Sequence, residues 1–241
     1  MVKRRYLRSA ATSARPYARS GAKGSRPGSS FLVVTEGVNT EPAYFEFVRR
    51  MFSSATVELV PRGAGRGDPK SLADFALEVR NERRRQARKK ELSINKLEDF
   101  DEIWIVFDTD ALGASERNDG IAYAKSQGVR IAYSEPCFEY WLLLHEASGY
   151  TTAQMARCAD VEPHLKRAFG WTEYSKNIRE CRKLIEPLVS KGAIWTAVAG
   201  AQRCRNHHEG AGTAFPANPS TDVDQLIRAI DEAVPKANKL L

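Results

Sequence analysis

At 241 residues the chain has room for one substantial core, or for one domain with appendages. Composition is ordinary for a folded protein, and no apolar run reaches the ~18–20 residues that a bilayer-spanning helix requires, so no membrane contact is expected. The net charge of +7 is unevenly placed: residues 1–30 carry eight basic side chains and no acid, and taking those eight from the 37 basic residues leaves 29 against 30 acidic ones.

That first segment holds Arg4, Arg5 and Arg8 among Ser, Ala and Gly, without apolar periodicity. It is expected to stay disordered when free. Its charge suits phosphate contact through counterion release, and nucleic-acid binding is the reading favoured here. A solubilising tail and an organellar transit peptide share the same composition.

Beyond the arm, FLVVTEGVNTEPAYFEFVRRMF predicts a strand at 31–34, a turn at Gly37 and then a helix. Asn39 or Thr40 can cap that helix, with Pro42 in its first turn. TVELV (56–60) predicts a second strand, closed by Pro61. GAGRGDP (63–69) has the glycines of a phosphate cradle but lacks the Gly-Lys-Ser/Thr ending of a P-loop, and reads as a plain loop.

A long helix is predicted over 70–92, its second half RNERRRQARKK rich in bases. Arg84, Arg88 and Lys89 are candidates for gripping a nucleic-acid backbone, although a charge run on a helix is also the mark of a solvated face. IWIVF (103–107) follows as a strand that is apolar throughout, the pattern of a strand buried on both faces. A helix over 120–128 and a strand over 129–134 complete a β-α-β-α-β-α-β order, which predicts an α/β fold with a mainly parallel sheet.

From Pro136 onward the pattern turns helical, with CFEYWLLLHEAS as a buried helix and further helices over 160–168, 176–190, 192–205 and 221–234. No strand is expected there. NPST (218–221) reads as a helix start, with Thr221 as N-cap and Asp224 three residues later. The organisation expected is an arm (1–30), an α/β core (31–150) and a helical extension packed on it (151–241). The four cysteines show no Cys-x-x-Cys spacing and no secretory signal precedes them, which points to a reducing cytosol. Cys204, His207 and His208 lie close together, but no further ligands stand at zinc-site spacing.

The chemistry is expected at strand ends. In an open parallel sheet, ligands collect beyond the carboxyl ends of the strands. Glu36 follows the first strand by one residue, Asp108 follows IWIVF directly, and Asp110 lies two further on. If those strands are neighbours, three carboxylates meet on one rim, and their mutual repulsion is relieved by a hard cation, Mg2+ or Mn2+, that takes oxygen ligands. An Asp-x-Asp after a strand can also simply cap the next turn. Glu139, one turn into the helix after strand 129–134, either approaches the same rim or faces solvent.

Glu36 in VTEG, followed at a distance by Asp108-Thr109-Asp110 after an apolar strand, resembles the pattern of the Toprim domain. A narrower resemblance is carried by EGVNTEPAYFEF (36–47), FDTD (107–110), SEPCFEYWLLLH (134–145) and NPSTDV (218–223), which in this order are similar to the RloB-like family over roughly residues 31–230. The resemblance implies a Toprim-like core with helical additions, and a place near restriction or phage-defence loci, often beside an ATPase partner. It implies Glu36 as acid/base and metal contact, and Asp108 and Asp110 as metal ligands; Glu139, from its position, and Glu41 are additional candidates beside them. Lys176 and Arg203 are candidates for phosphate contact. Where the family commonly has Ser-Asn-Pro, this chain has Ser134-Glu135-Pro136.

The function expected is a divalent-metal-dependent nuclease acting on DNA or RNA. Nucleotidyl transfer is the second enzyme class, although no triphosphate site is evident. A non-catalytic nucleic-acid-binding or regulatory subunit of an ATPase-containing defence complex is the alternative.

Overall fold

The computed structural model describes residues 29–63, 67–89, 99–109, 112–175 and 177–234. The basic arm with Arg4, Arg5 and Arg8, and also Asp110 and Lys176, lie outside the described residues.

Four strands run parallel: β1 (Ser30–Thr35), β2 (Thr56–Pro61), β3 (Glu102–Asp108) and β4 (Val129–Glu135). A two-residue β5 (Ser220–Thr221) adds to β4 in the antiparallel sense, giving the sheet order β2-β1-β3-β4-β5. The crossovers are α1 (Thr40–Met51), α2 (Pro69–Lys89) and α3 (Ala114–Ser126). Helices α4 (Phe138–Leu143), α5 (Cys158–Phe169), α6 (Ile178–Ile185), α7 (Lys191–Gly210) and α8 (Val223–Glu232) follow, with a 3-10 turn at Ala147–Gly149. This is the α/β architecture with a mostly parallel sheet and a helical C-terminal part. Among the described residues no helix is long and apolar enough to cross a membrane.

The unbroken apolar run of β3 is explained by its place. Successive strand side chains point to opposite faces. Trp104 and Val106 join Phe31, Val33, Tyr44 and Trp141 on one side of the sheet. Ile103, Ile105 and Phe107 join Leu32, Val34, Leu72 and Phe75 on the other. All five side chains from Ile103 to Phe107 are buried, and each contributes on the order of 1.5–3 kcal/mol of hydrophobic stabilisation. The first cluster continues through Val161, Ile185, Ala197 and Leu226, so the C-terminal helices share a core with one face of the sheet.

Three expectations need correction. The helix before β4 begins at Ala114, six residues earlier than the sequence suggests, because its exposed first turns carry little apolar signal. The C-terminal part does contain a strand: Ser220 and Thr221 pair with Glu135 and Ser134. Thr221 is therefore a strand residue and not the N-cap of α8, which starts at Val223, although its hydroxyl still accepts from the Val223 N–H at 3.2 Å. Asp224 is drawn into a different role, an ion pair with Arg205.

The cysteines also behave differently from the expectation of a reduced set. Cys137 and Cys158 form a disulfide with Cα atoms 5.4 Å apart, while Cys181 and Cys204 are buried outside any disulfide. No short-range spacing announces that pair, because packing of α4 against α5 brings it together across 21 residues.

Candidate metal centre

Parallel pairing of β1 with β3 places Thr35 beside Val106. The ladder runs one residue further, since the Glu36 N–H donates to the Val106 carbonyl at 2.9 Å. Glu36 is thereby pinned beside the end of β3, where the Asp108 N–H donates to its Oε2 at 3.2 Å. The Asp108 carboxylate is held in turn from the next strand's exit: the Phe138 N–H, at the start of α4, donates to Asp108 Oδ1 at 2.9 Å. Two carboxylates from separate parts of the chain are thus tied to one rim by backbone amides.

Two more arrive on helices. Glu41, in the first turn of α1, accepts from the Gly37 N–H at 3.2 Å. Glu139, in α4, accepts at Oε1 from the Tyr174 hydroxyl at 2.8 Å and from the Thr40 hydroxyl at 3.4 Å. Asn39 makes no side-chain cap to α1, and Thr40 spends its hydroxyl on Glu139 and Tyr174. Glu36, Glu41, Asp108 and Glu139 then line a single cleft of about 270 Å³, together with residues 37–40.

Its electrostatics reflect that crowding. Burial pushes the Glu41 carboxyl up to about 7; backbone N–H groups pull it down, and the charges of Glu139 and Glu36 add to the rise. Burial first, and then the Glu139 charge, also hold the Tyr174 hydroxyl well above its ordinary range, so it remains a donor.

Two glycines make room for the acids. A Cβ on Gly37 would collide with the Glu41 carboxylate, and one on Gly67 with that of Glu36. The glycine loop that reads as plain from sequence therefore closes against the rim through Gly67. Its middle, 64–66, is outside the described residues.

An all-oxygen donor set suits a hard cation such as Mg2+ or Mn2+ better than a thiophilic one. Among the described residues these carboxylates line the cleft without three of their oxygens closing to within 4.8 Å of one another. The group that does close to that distance is Cys137, Glu139 and Cys158. With its two sulfurs joined in a disulfide, it lacks the thiolates that a metal would need.

The other candidates are dispersed. Arg84 is engaged by Asp99, its Nε donating at 3.0 Å, while Arg88 and Lys89 are exposed at the end of α2. Arg203 lies over the Tyr150 ring, 3.8 Å from its centroid. Cys204 and His208 both reach the Pro219 carbonyl, at 3.0 and 2.9 Å, so they brace the 218–221 segment.

Glu135 does not line the cleft. Its carboxylate contacts the Thr109 hydroxyl and accepts from the Asn218 amide at 2.9 Å. Tyr174 did not stand out in the sequence, and Asn218 stood out only as the start of NPST, because nothing local links either to the strand ends it serves.

The family model described as RloB-like protein matches residues 31–230. No curated protein and no solved structure matches the chain.

Proposed function

The chain belongs to the RloB-like family, and on that premise we propose that it is a divalent-metal-dependent nuclease of Toprim type, hydrolysing phosphodiesters of DNA or RNA in bacterial phage defence. The observation that carries this reading is the meeting of Glu36 and Asp108 at the adjacent ends of two parallel strands, in a cleft also lined by Glu41 and Glu139. Asp108 and Glu36 would hold Mg2+ or Mn2+, with Asp110 two residues beyond and Glu139 and Glu41 completing the oxygen set. Bound there, the ion supplies stabilisation of charge on the phosphoryl oxygens and a more acidic water.

The chain's own residues do the rest. Glu36 takes the proton of the attacking water, its carboxylate oriented by the Asp108 N–H. Asp108 is kept in place by the Phe138 N–H, so little reorganisation is needed when substrate arrives. Arg88 and Lys89, with the bases of the N-terminal arm, supply sequence-independent grip on phosphates.

The test is incubation of the full chain with mixed tRNA, single-stranded DNA and duplex DNA, with and without Mn2+, with the wild type beside Glu36→Ala and Asp108→Asn. Metal-dependent cleavage that both variants lose is the expected result. Cleavage unchanged in either variant overturns the assignment.

A second reading follows from the spacing of the described carboxylates, no three of whose oxygens close to within 4.8 Å of one another. In it the chain is a nucleic-acid-binding or regulatory subunit beside an ATPase partner. Absence of Mn2+ binding at millimolar concentration, with no cleavage of any substrate, selects this reading over the first.

A further inference from the structure

Asp108 and Thr109 form the turn on which the candidate metal centre depends, and one neighbouring segment, residues 134–138, holds both of them. The Thr109 N–H donates to the Ser134 carbonyl at 3.1 Å, and the Thr109 hydroxyl, 3.2 Å from the same carbonyl, gives its single hydrogen to the Glu135 carboxylate. The Phe138 N–H fixes Asp108, as described. Between these two anchors stands Glu135, whose Oε2 contacts the Thr109 hydroxyl and whose Oε1 accepts from Asn218 Nδ2 at 2.9 Å.

Asn218 is itself immobilised. Its amide brackets Met155, donating to the Met155 carbonyl at 2.7 Å and accepting from the Met155 N–H at 2.8 Å. Ser220 and Thr221, just beyond it, pair with β4 at Glu135 and Ser134. Thr109 is 2 % exposed and Glu135 9 %, so these bonds face little competition from water. A chain of contacts thus runs from the C-terminal segment through one carboxylate to the turn that presents Asp108.

We propose that Glu135 is a positioning residue for the candidate metal centre, transmitting the anchorage of Asn218 to Thr109 and so setting the direction in which Asp108 leaves β3. The inference deepens the nuclease reading and rests on it for its functional consequence. Its geometric content, that Glu135 orders the 108–109 turn, stands apart from any activity. Outer-shell partners of this kind are worth about 10–100-fold in metal affinity.

The glutamine variant separates positioning from packing. In Glu135→Gln the side-chain NH2 can donate to the Thr109 oxygen once the hydroxyl hydrogen turns from residue 135 to the Ser134 carbonyl, 3.2 Å away, and the amide oxygen still accepts from Asn218. Both contacts survive without the charge. In Glu135→Ala neither does.

The experiment uses the full chain, with amide hydrogen exchange read at Asp108 and Thr109 and Mn2+ binding read by titration. Glu135→Ala is expected to speed exchange at Thr109 by tenfold or more and to weaken Mn2+ binding by about 10–100-fold. Glu135→Gln is expected to stay within about threefold of wild type on both readouts. A merely structural role predicts a lowered melting temperature in both variants with no difference between them in exchange at Thr109, and that result overturns the proposal. If wild type binds no Mn2+, the nuclease reading fails alone: faster exchange in the alanine variant, restored by glutamine, still supports the positioning role, and unchanged exchange defeats it.

Discussion

The acidic cleft and the charged cluster beside β5 treat carboxylates in opposite ways. At the cluster, Arg205 forks onto Asp224, its Nη1 donating to Oδ1 at 2.7 Å, and the same Nη1 reaches Asp222 at 3.3 Å. Acid and base are matched within the chain, and the Asp224 side chain is fully buried beside its partner. At the cleft, four carboxylates line one space, backbone amides and hydroxyls orient them, and Glu41 is lifted to about 7. The first arrangement ties α7 to α8. The second concentrates negative charge where strand ends open, which is the condition for recruiting a cation.

That contrast can be broken from either side. The largest effect is expected at the cleft, where Glu36→Gln should lower cleavage by about 10²–10⁴-fold, the usual contribution of an acid–base group, with the melting temperature little changed. Equal rates in a Mn2+-supplemented cleavage assay would place the chemistry elsewhere.

Next in size is Arg205→Met, which leaves buried Asp224 with only the Arg228 guanidinium at 3.8 Å and should cost about 3 kcal/mol of stability, measured by urea unfolding. Cleavage per folded molecule should be retained, and a selective loss of cleavage would show that the two charged regions are coupled.

A third buried titratable group tests protons against ions. His145 donates from Nδ1 to the Trp141 carbonyl at 3.1 Å and lies 3.1 Å from the Tyr44 hydroxyl through Nε2. Burial lowers its pKa from 6.5 to about 4. Acid therefore protonates this residue in the unfolded chain first, so its contribution to stability is complete above pH 6.5 and is lost as pH falls to about 4. The loss should approach ~3 kcal/mol. Unfolding free energy measured from pH 7 to 4 should fall more steeply for wild type than for His145→Gln, and parallel slopes would rule out this group as the source.

The smallest effect is steric. Gly67→Ala places a methyl against the Glu36 carboxylate and should weaken Mn2+ binding on the order of tenfold, with the fold kept. Unaltered binding would mean that the 63–69 loop yields at no cost to the centre.

Much of this is legible in the sequence. The parallel order, the two-faced burial of IWIVF and the nomination of Glu36, Asp108, Glu139 and Glu41 rest on strand pattern, position at strand ends and family resemblance, and these four side chains do share one cleft. The reading of NPST as a helix start failed because a short polar run has one local meaning and another when β4 offers it an unpaired edge. Glu135 stands where the family commonly has Asn, and only its contacts with Thr109 and Asn218 decide that it faces away from the cleft. The Cys137–Cys158 pairing and the Tyr174 bond to Glu139 had no local signal at all.

By itself the sequence determined where the four parallel strands run, which faces they bury and which acids stand at their ends, because those properties depend on periodicity and on residues near in the chain. Tertiary structure alone decided which ends are neighbours, what orients each carboxylate and which distant segment braces the turn at Thr109. Hydrogen bonds between residues tens of positions apart depend on the packing of whole helices, and no short stretch of chain encodes that packing.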